Sequence, residues 1–195
     1  MKKLLALMLA ALMLLSFAAC DGGNGDEEEE ELTYEAAAEN YEKLMNGKTD
    51  YLEKLAPQKY WDFLEEEENI DLDDVIDDFE EMYEDRLDYW EEEYGKNIKI
   101  TVKITDAEKM DSDDLKEVAE ALADRYDFLK KSDVKQAYDV DLKMTVKGAD
   151  DKEEDEEEAV IVEIDGGWYL INYFEYEDEY GDTVANASFV ADSFV

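Results

Sequence analysis

Between Leu72 and Ile104 the chain changes its hydrophobic period, and that change limits what it can fold into. Leu72, Val75, Ile76, Phe79, Tyr83, Leu87, Trp90 and Tyr94 recur in steps of three and four, with Met82 and Arg86 on the same side. Asp73, Asp77, Glu80, Glu84, Asp88 and Glu91 take the opposite side. That pattern predicts an amphipathic helix of roughly six turns. Its apolar stripe is too wide for the two-position seam of a coiled coil, so packing onto a sheet is the better reading. After Gly95 the period drops to two: Ile98, Ile100, Val102 and Ile104 alternate with Lys99, Thr101 and Lys103. Alternation of this kind is a half-buried strand. A long helix feeding strands in one short chain predicts an α+β fold.

The flanking segments extend this reading. Tyr34, Ala37, Ala38, Tyr41, Leu44 and Met45 fall at helical spacing and stop at Asn46-Gly47. Tyr51, Leu52 and Leu55 begin a second helical stretch, which restarts at Pro57 and carries Tyr60, Trp61, Phe63 and Leu64. Ser112 is placed to cap a further helix bearing Leu115, Val118, Ala119, Leu122 and Tyr126. Val134, Tyr138, Val140, Leu142, Met144 and Val146 then alternate along a long strand. From Gly148 a loop is expected to run through the acidic residues 150–158 as a solvated connection. Residues 160–164 and 168–174 are expected to form a hairpin across Asp165-Gly166-Gly167, with Ile164 opposite Trp168. That register puts Val160, Val162 and Ile164 on one face with Trp168, Leu170 and Asn172. Ile161, Tyr169, Ile171 and Tyr173 share the other face, which is too apolar to stay wet. Its cover would be a second subunit, giving a homodimer through the outer sheet face, or the tail carrying Phe189, Val190, Phe194 and Val195.

The amino terminus is a targeting signal by its order of residues. Lys2 and Lys3 precede an apolar run over residues 4–19, shorter than the twenty or so residues of a bilayer-spanning helix. Cys20, the only cysteine, follows Ala18 and Ala19. The segment from Leu14 to Cys20 resembles the lipobox of bacterial lipoproteins, with Phe17 where leucine is usual. This resemblance implies cleavage before Cys20, a covalent diacylglyceryl lipid on its sulfur, and an address on the outer face of the cytoplasmic membrane in the bacterial cell envelope. An ordinary signal peptide cut after Ala19, leaving a free thiol, is the alternative. Residues 20–32 then read as an acidic flexible tether.

Without the signal the chain carries seventeen basic and fifty-eight acidic residues, a net charge of −41. Such a surface repels nucleic acid, whose binding needs basic contacts. Aromatic and branched residues at regular spacings argue for a folded domain rather than acidic disorder. The chain has no histidine, which removes Ser–His–Asp triads and imidazole ligation. Carboxylates suit Ca²⁺, but no spacing here defines a closed shell, so no cofactor and no metal site is expected.

The element order, ending in Gly166-Gly167-Trp168-Tyr169-Leu170-Ile171-Asn172, resembles the NTF2-like (cystatin-like α+β) superfamily over residues 33–176, with residues 177–195 as a tail. The resemblance implies a cone: N-terminal helices packed on a curved antiparallel sheet of about four strands, with an extra helix between strands 1 and 2. It implies an uncharacterised binding or interaction module, anchored to the membrane by its lipid and recognising an envelope protein or a small ligand. Trp61, Tyr83, Tyr138, Trp168, Leu170 and Asn172 are the candidate pocket lining. Low-affinity Ca²⁺ binding and a small hydrolase or isomerase of the cone pocket are the alternatives.

Overall fold

A computed structural model describes residues 33–177 and 183–195. The predicted signal, Cys20 and the tether lie outside the described residues. No helix among the described residues is long and apolar enough to cross a membrane.

Helix α1 (Glu35–Met45) buries Ala37, Ala38 and Leu44. Asn46 does more than stop it. Its amide donates to the Glu42 carbonyl (2.7 Å) and the Ile100 carbonyl (2.8 Å), and its oxygen accepts from the Ile100 N–H (3.0 Å), tying the helix end to the first strand. A 3-10 turn (Thr49–Leu55), the short helix α2 (Gln58–Phe63) and a π turn (Leu64–Glu68) follow. Helix α3 (Leu72–Tyr94) is the predicted long helix. Asp71 accepts from the Asp73 N–H (3.0 Å), and Asp73 and Asp74 complement the positive end of the helix dipole.

Strand β1 (Lys99–Lys109) precedes helix α4 (Ser112–Arg125), whose cap is one residue earlier than expected. Asp111 accepts from the N–H groups of Asp113 (2.8 Å) and Asp114 (3.2 Å), so Ser112 is already in the first turn. Strands β2 (Val134–Lys147), β3 (Lys152–Ile164), β4 (Gly167–Glu177) and β5 (Thr183–Phe189) complete an antiparallel open sheet in the order β1-β2-β3-β4-β5. Among the described residues the sheet therefore has five strands rather than about four. The fifth comes from the expected tail, and its 3-10 continuation (Val190–Phe194) also packs on the domain.

Two further expectations are corrected. The acidic run is not a loop: residues 152–158 pair residue for residue with β2, from Lys152 opposite Lys147 to Glu158 opposite Asp141. Its turn is docked as well, because the Asp150 and Asp151 N–H groups donate to the Tyr94 carbonyl at 2.9 and 3.2 Å. Helix α3 leaves its last carbonyls without intrahelical partners, and the hairpin tip supplies donors. The β3–β4 register is also shifted by one. Ile164 faces Gly167 and Glu163 faces Trp168 across a two-residue Asp165-Gly166 loop. Both loop residues have positive φ (52° and 82°), as a type I′ turn requires. A slip of one flips β3. Ile161 and Glu163 therefore share a face with Trp168, Leu170 and Asn172, while Val160, Val162 and Ile164 share the other with Tyr169 and Ile171.

Helix α1 packs over the first of these faces, against β1 and β4, while α4 covers the second, against β2 and β5. Val118, Ala119, Ala121 and Leu122 of α4 are buried there. That apolar face, expected to be covered by a second subunit or by the tail, is covered in part by α4.

Candidate functional site

Strands β3 and β4 pair only from Ile164–Gly167 to Val160–Ile171. Beyond that point they part: β3 continues alongside β2 and β4 continues alongside β5. Helix α3 crosses this notch, packed on the 3-10 turns Thr49–Leu55 and Val190–Phe194. The result is a cleft of about 380 Å³, within the size range of small-ligand sites.

Its floor is apolar. Phe79 and Leu170 are buried, as is Leu142, and Tyr41, Tyr83 and Phe194 stand along the walls. Phe79 meets Tyr83 in a stack (5.9 Å) and Phe194 edge-on (5.3 Å). Its mouth is mixed. Arg86 lies over the Trp90 ring at 5.7 Å, Glu157 and Glu158 come from β3, and Asn172 and Ser193 complete the polar groups. Met82 (39 % exposed) and Phe174 (53 %) present large apolar surface at the rim. Burial raises the Tyr41 phenol pKa; Glu157 adds to the rise and Arg86 opposes it. Burial likewise raises Tyr83. Both phenols remain protonated at neutral pH and can donate hydrogen bonds.

The wall formed by Val190–Phe194 is held by a polar latch. Asp192 accepts from Arg125 (2.6 Å) and from the Tyr126 hydroxyl (2.8 Å), and that hydroxyl accepts from the Phe189 N–H (3.0 Å). Burial and the Asp192 carboxylate push the Tyr126 phenol pKa strongly up.

Of the six residues expected to line a pocket, Tyr83, Leu170 and Asn172 line this cleft. Trp61 does not. It is core, with its indole N–H donating to the Glu53 carbonyl at 2.9 Å. Tyr138 and Trp168 form a separate aromatic cluster, Tyr138 stacked on Tyr34 (4.6 Å) and edge-on to Trp168 (5.7 Å). Arg86 and Glu157 were not anticipated as site residues. Arg86 had a signal, being a charge inside the apolar stripe of α3. Glu157 had none, because its run carries no alternation.

A second concavity gathers Asp106, Glu108, Asp139, Asp141 and Glu158. The Asp139 pKa is raised, chiefly by burial and then by Asp114, Glu108 and Glu158. Among the described residues no group of three carboxylates is placed to hold a metal ion.

The cleft can bury an apolar body, offer phenolic and amide hydrogen bonds, and present charges of both signs at its mouth. No family model, no curated protein and no solved structure matches this chain.

Proposed function

We propose that this chain is a lipid-anchored extracytoplasmic binding module of the bacterial envelope, with an NTF2-like domain that recognises its ligand in the cleft between β3 and β4 without turning it over. The observation that carries this reading is the cleft itself, with its buried apolar floor and exposed Met82 and Phe174 at the rim. Exposed apolar groups around a concave site are the usual mark of recognition surfaces. Two sequence features support recognition rather than catalysis. The chain has no histidine, and its one cysteine stands at position 20, behind the apolar signal. The order of residues 1–20 supports the address, and the acidic residues after Cys20 would hold the domain clear of the membrane.

A photo-crosslinking side chain placed at Asn172 in cells tests the site. A discrete adduct from position 172, absent when the same group replaces Glu67, is expected. No adduct, or equal adducts from both positions, would overturn it. Anchoring is tested separately by lipid labelling, which Cys20→Ser should abolish.

A further inference from the structure

We propose that the notch takes a cationic polypeptide segment in extended form, added as a strand along the open side of β3 with one apolar side chain set into the cleft. This rests on reading the cleft as a recognition site and names the class of its partner.

The backbone provides the first argument. Residues 152–158 pair with β2 on one side, and among the described residues no strand lies along the other, because β4 has turned away. Alternate residues of an antiparallel strand turn their N–H and C=O groups to opposite neighbours. Glu156 is one that faces outward, since its N–H reaches the adjacent Asp155 carboxylate (3.0 Å) instead. An open edge of this kind is a template for strand addition.

Charge decides the occupant. The edge reads Lys152-Glu153-Glu154-Asp155-Glu156-Glu157-Glu158. Lys152 (2.6 Å) and Lys143 (2.9 Å) both reach Glu154, and the Tyr94 hydroxyl donates to Glu153. Glu157 and Glu158 border the cleft. Helix α3 adds Asp78, Glu81 and Asp85 around Met82, where Arg86 is the single cation against three carboxylates. A second copy of this chain would bring the same carboxylates against them and be repelled. A strand with lysine or arginine at alternate positions is complementary, and the floor formed by Phe79 and Leu170 accepts its apolar residue. The acidic edge therefore does two jobs with one charge pattern: it blocks self-pairing and admits a basic strand.

The test uses the full chain in neutral detergent and a fluorescent peptide, Lys-Val-Lys-Phe-Lys-Val-Lys, read by anisotropy at physiological salt. Saturable binding is expected. Methylating each of the two alternating sets of peptide nitrogens in turn removes one edge of donors at a time, and the set that faces β3 should weaken binding about tenfold or more, as loss of a few hydrogen bonds implies. Glu157→Lys with Glu158→Lys should weaken it by at least as much. Glu157→Gln with Glu158→Gln serves if the reversed pair does not fold, and should give a smaller loss of the same sign. Undiminished binding of both methylated peptides would overturn strand addition, leaving only charge attraction. No binding of the peptide while the Asn172 crosslink persists would overturn this inference and spare the cleft reading. No binding and no crosslink would remove both.

Discussion

The two halves of β3 share a partner strand and one register from Lys152 to Glu163, yet they sit in opposite surroundings. Val160, Ile161, Val162 and Ile164 are buried in the hydrophobic core and flanked by β2 and β4. Residues 152–158 are exposed on both faces and lack a described neighbour beyond β2. What makes the second half a strand is therefore not its own burial. It is templated by β2, whose Leu142 and Val146 are buried beneath it in the ladder, and it is pinned at the turn by the Tyr94 carbonyl. One half is made by the core and the other by its attachments. The cleft opens where the first becomes the second.

Truncation is expected to separate the halves most. Ile161→Ala should cost about 2–5 kcal/mol, because a fully buried side chain leaves a cavity. Glu157→Ala should lie within about 0.5 kcal/mol of the parent. Urea melts of the two variants measure both, and similar losses would break the comparison.

The two turns that bound β3 come next. A Cβ on Gly148 would lie 2.1 Å from the Tyr94 carbonyl oxygen, whereas one on Gly166 meets nothing within 4 Å. Gly148→Ala should therefore cost about 1–3 kcal/mol by overpacking where the acidic half is docked. Gly166→Ala carries only the strain of positive φ, roughly 1 kcal/mol. Thermal melts giving the reverse order would show that the hairpin tip is not held against α3.

Asp139 lies on β2 beside the point where the halves meet. Its raised pKa means that the folded state takes up a proton more readily than the unfolded chain. The penalty is fully present above that raised value and is relieved as pH falls through it. Asp139→Asn should raise neutral-pH stability by under about 1 kcal/mol, given its exposure, and the gain should vanish in acid. A loss at neutral pH would contradict the penalty assigned to burial and to the neighbouring carboxylates. The smallest effect belongs to Glu154, whose hydrogen bonds to Lys152 and Lys143 lower its pKa to about 2. Its contribution is present above the ordinary carboxylate value and is lost as pH falls from there toward 2. Carboxyl titration by NMR should place Glu154 well below the ordinary carboxylate range.

Periodicity made the buried elements legible. Helix α3, strands β1 and β2 and the helix between them could all be read, because each has one wet and one dry side. The acidic half of β3 could not be read that way, since with both faces wet its alternation disappears. The β3–β4 register failed for the opposite reason. With Val160, Ile161 and Val162 all buried, only Glu163 distinguishes the faces, and Gly166-Gly167 allows two turn positions. Of the site, α3 and β4 contributed Tyr83, Leu170 and Asn172 through their faces. Trp61 is indistinguishable from a pocket residue until its indole finds the Glu53 carbonyl. The notch itself arises from strands parting, which no single segment encodes.

Amide hydrogen exchange along residues 152–164 of the free chain decides whether the acidic half is a built strand, paired with β2 on one side and with no described strand on the side toward the cleft. Glu153, Asp155 and Glu157, whose amides face β2, should exchange slowly. Glu154, Glu156 and Glu158 should exchange rapidly, while Val160 to Ile164 are protected throughout. Uniformly fast exchange from 152 to 158, at the rate of an unstructured chain, would contradict it and return the run to a solvated loop.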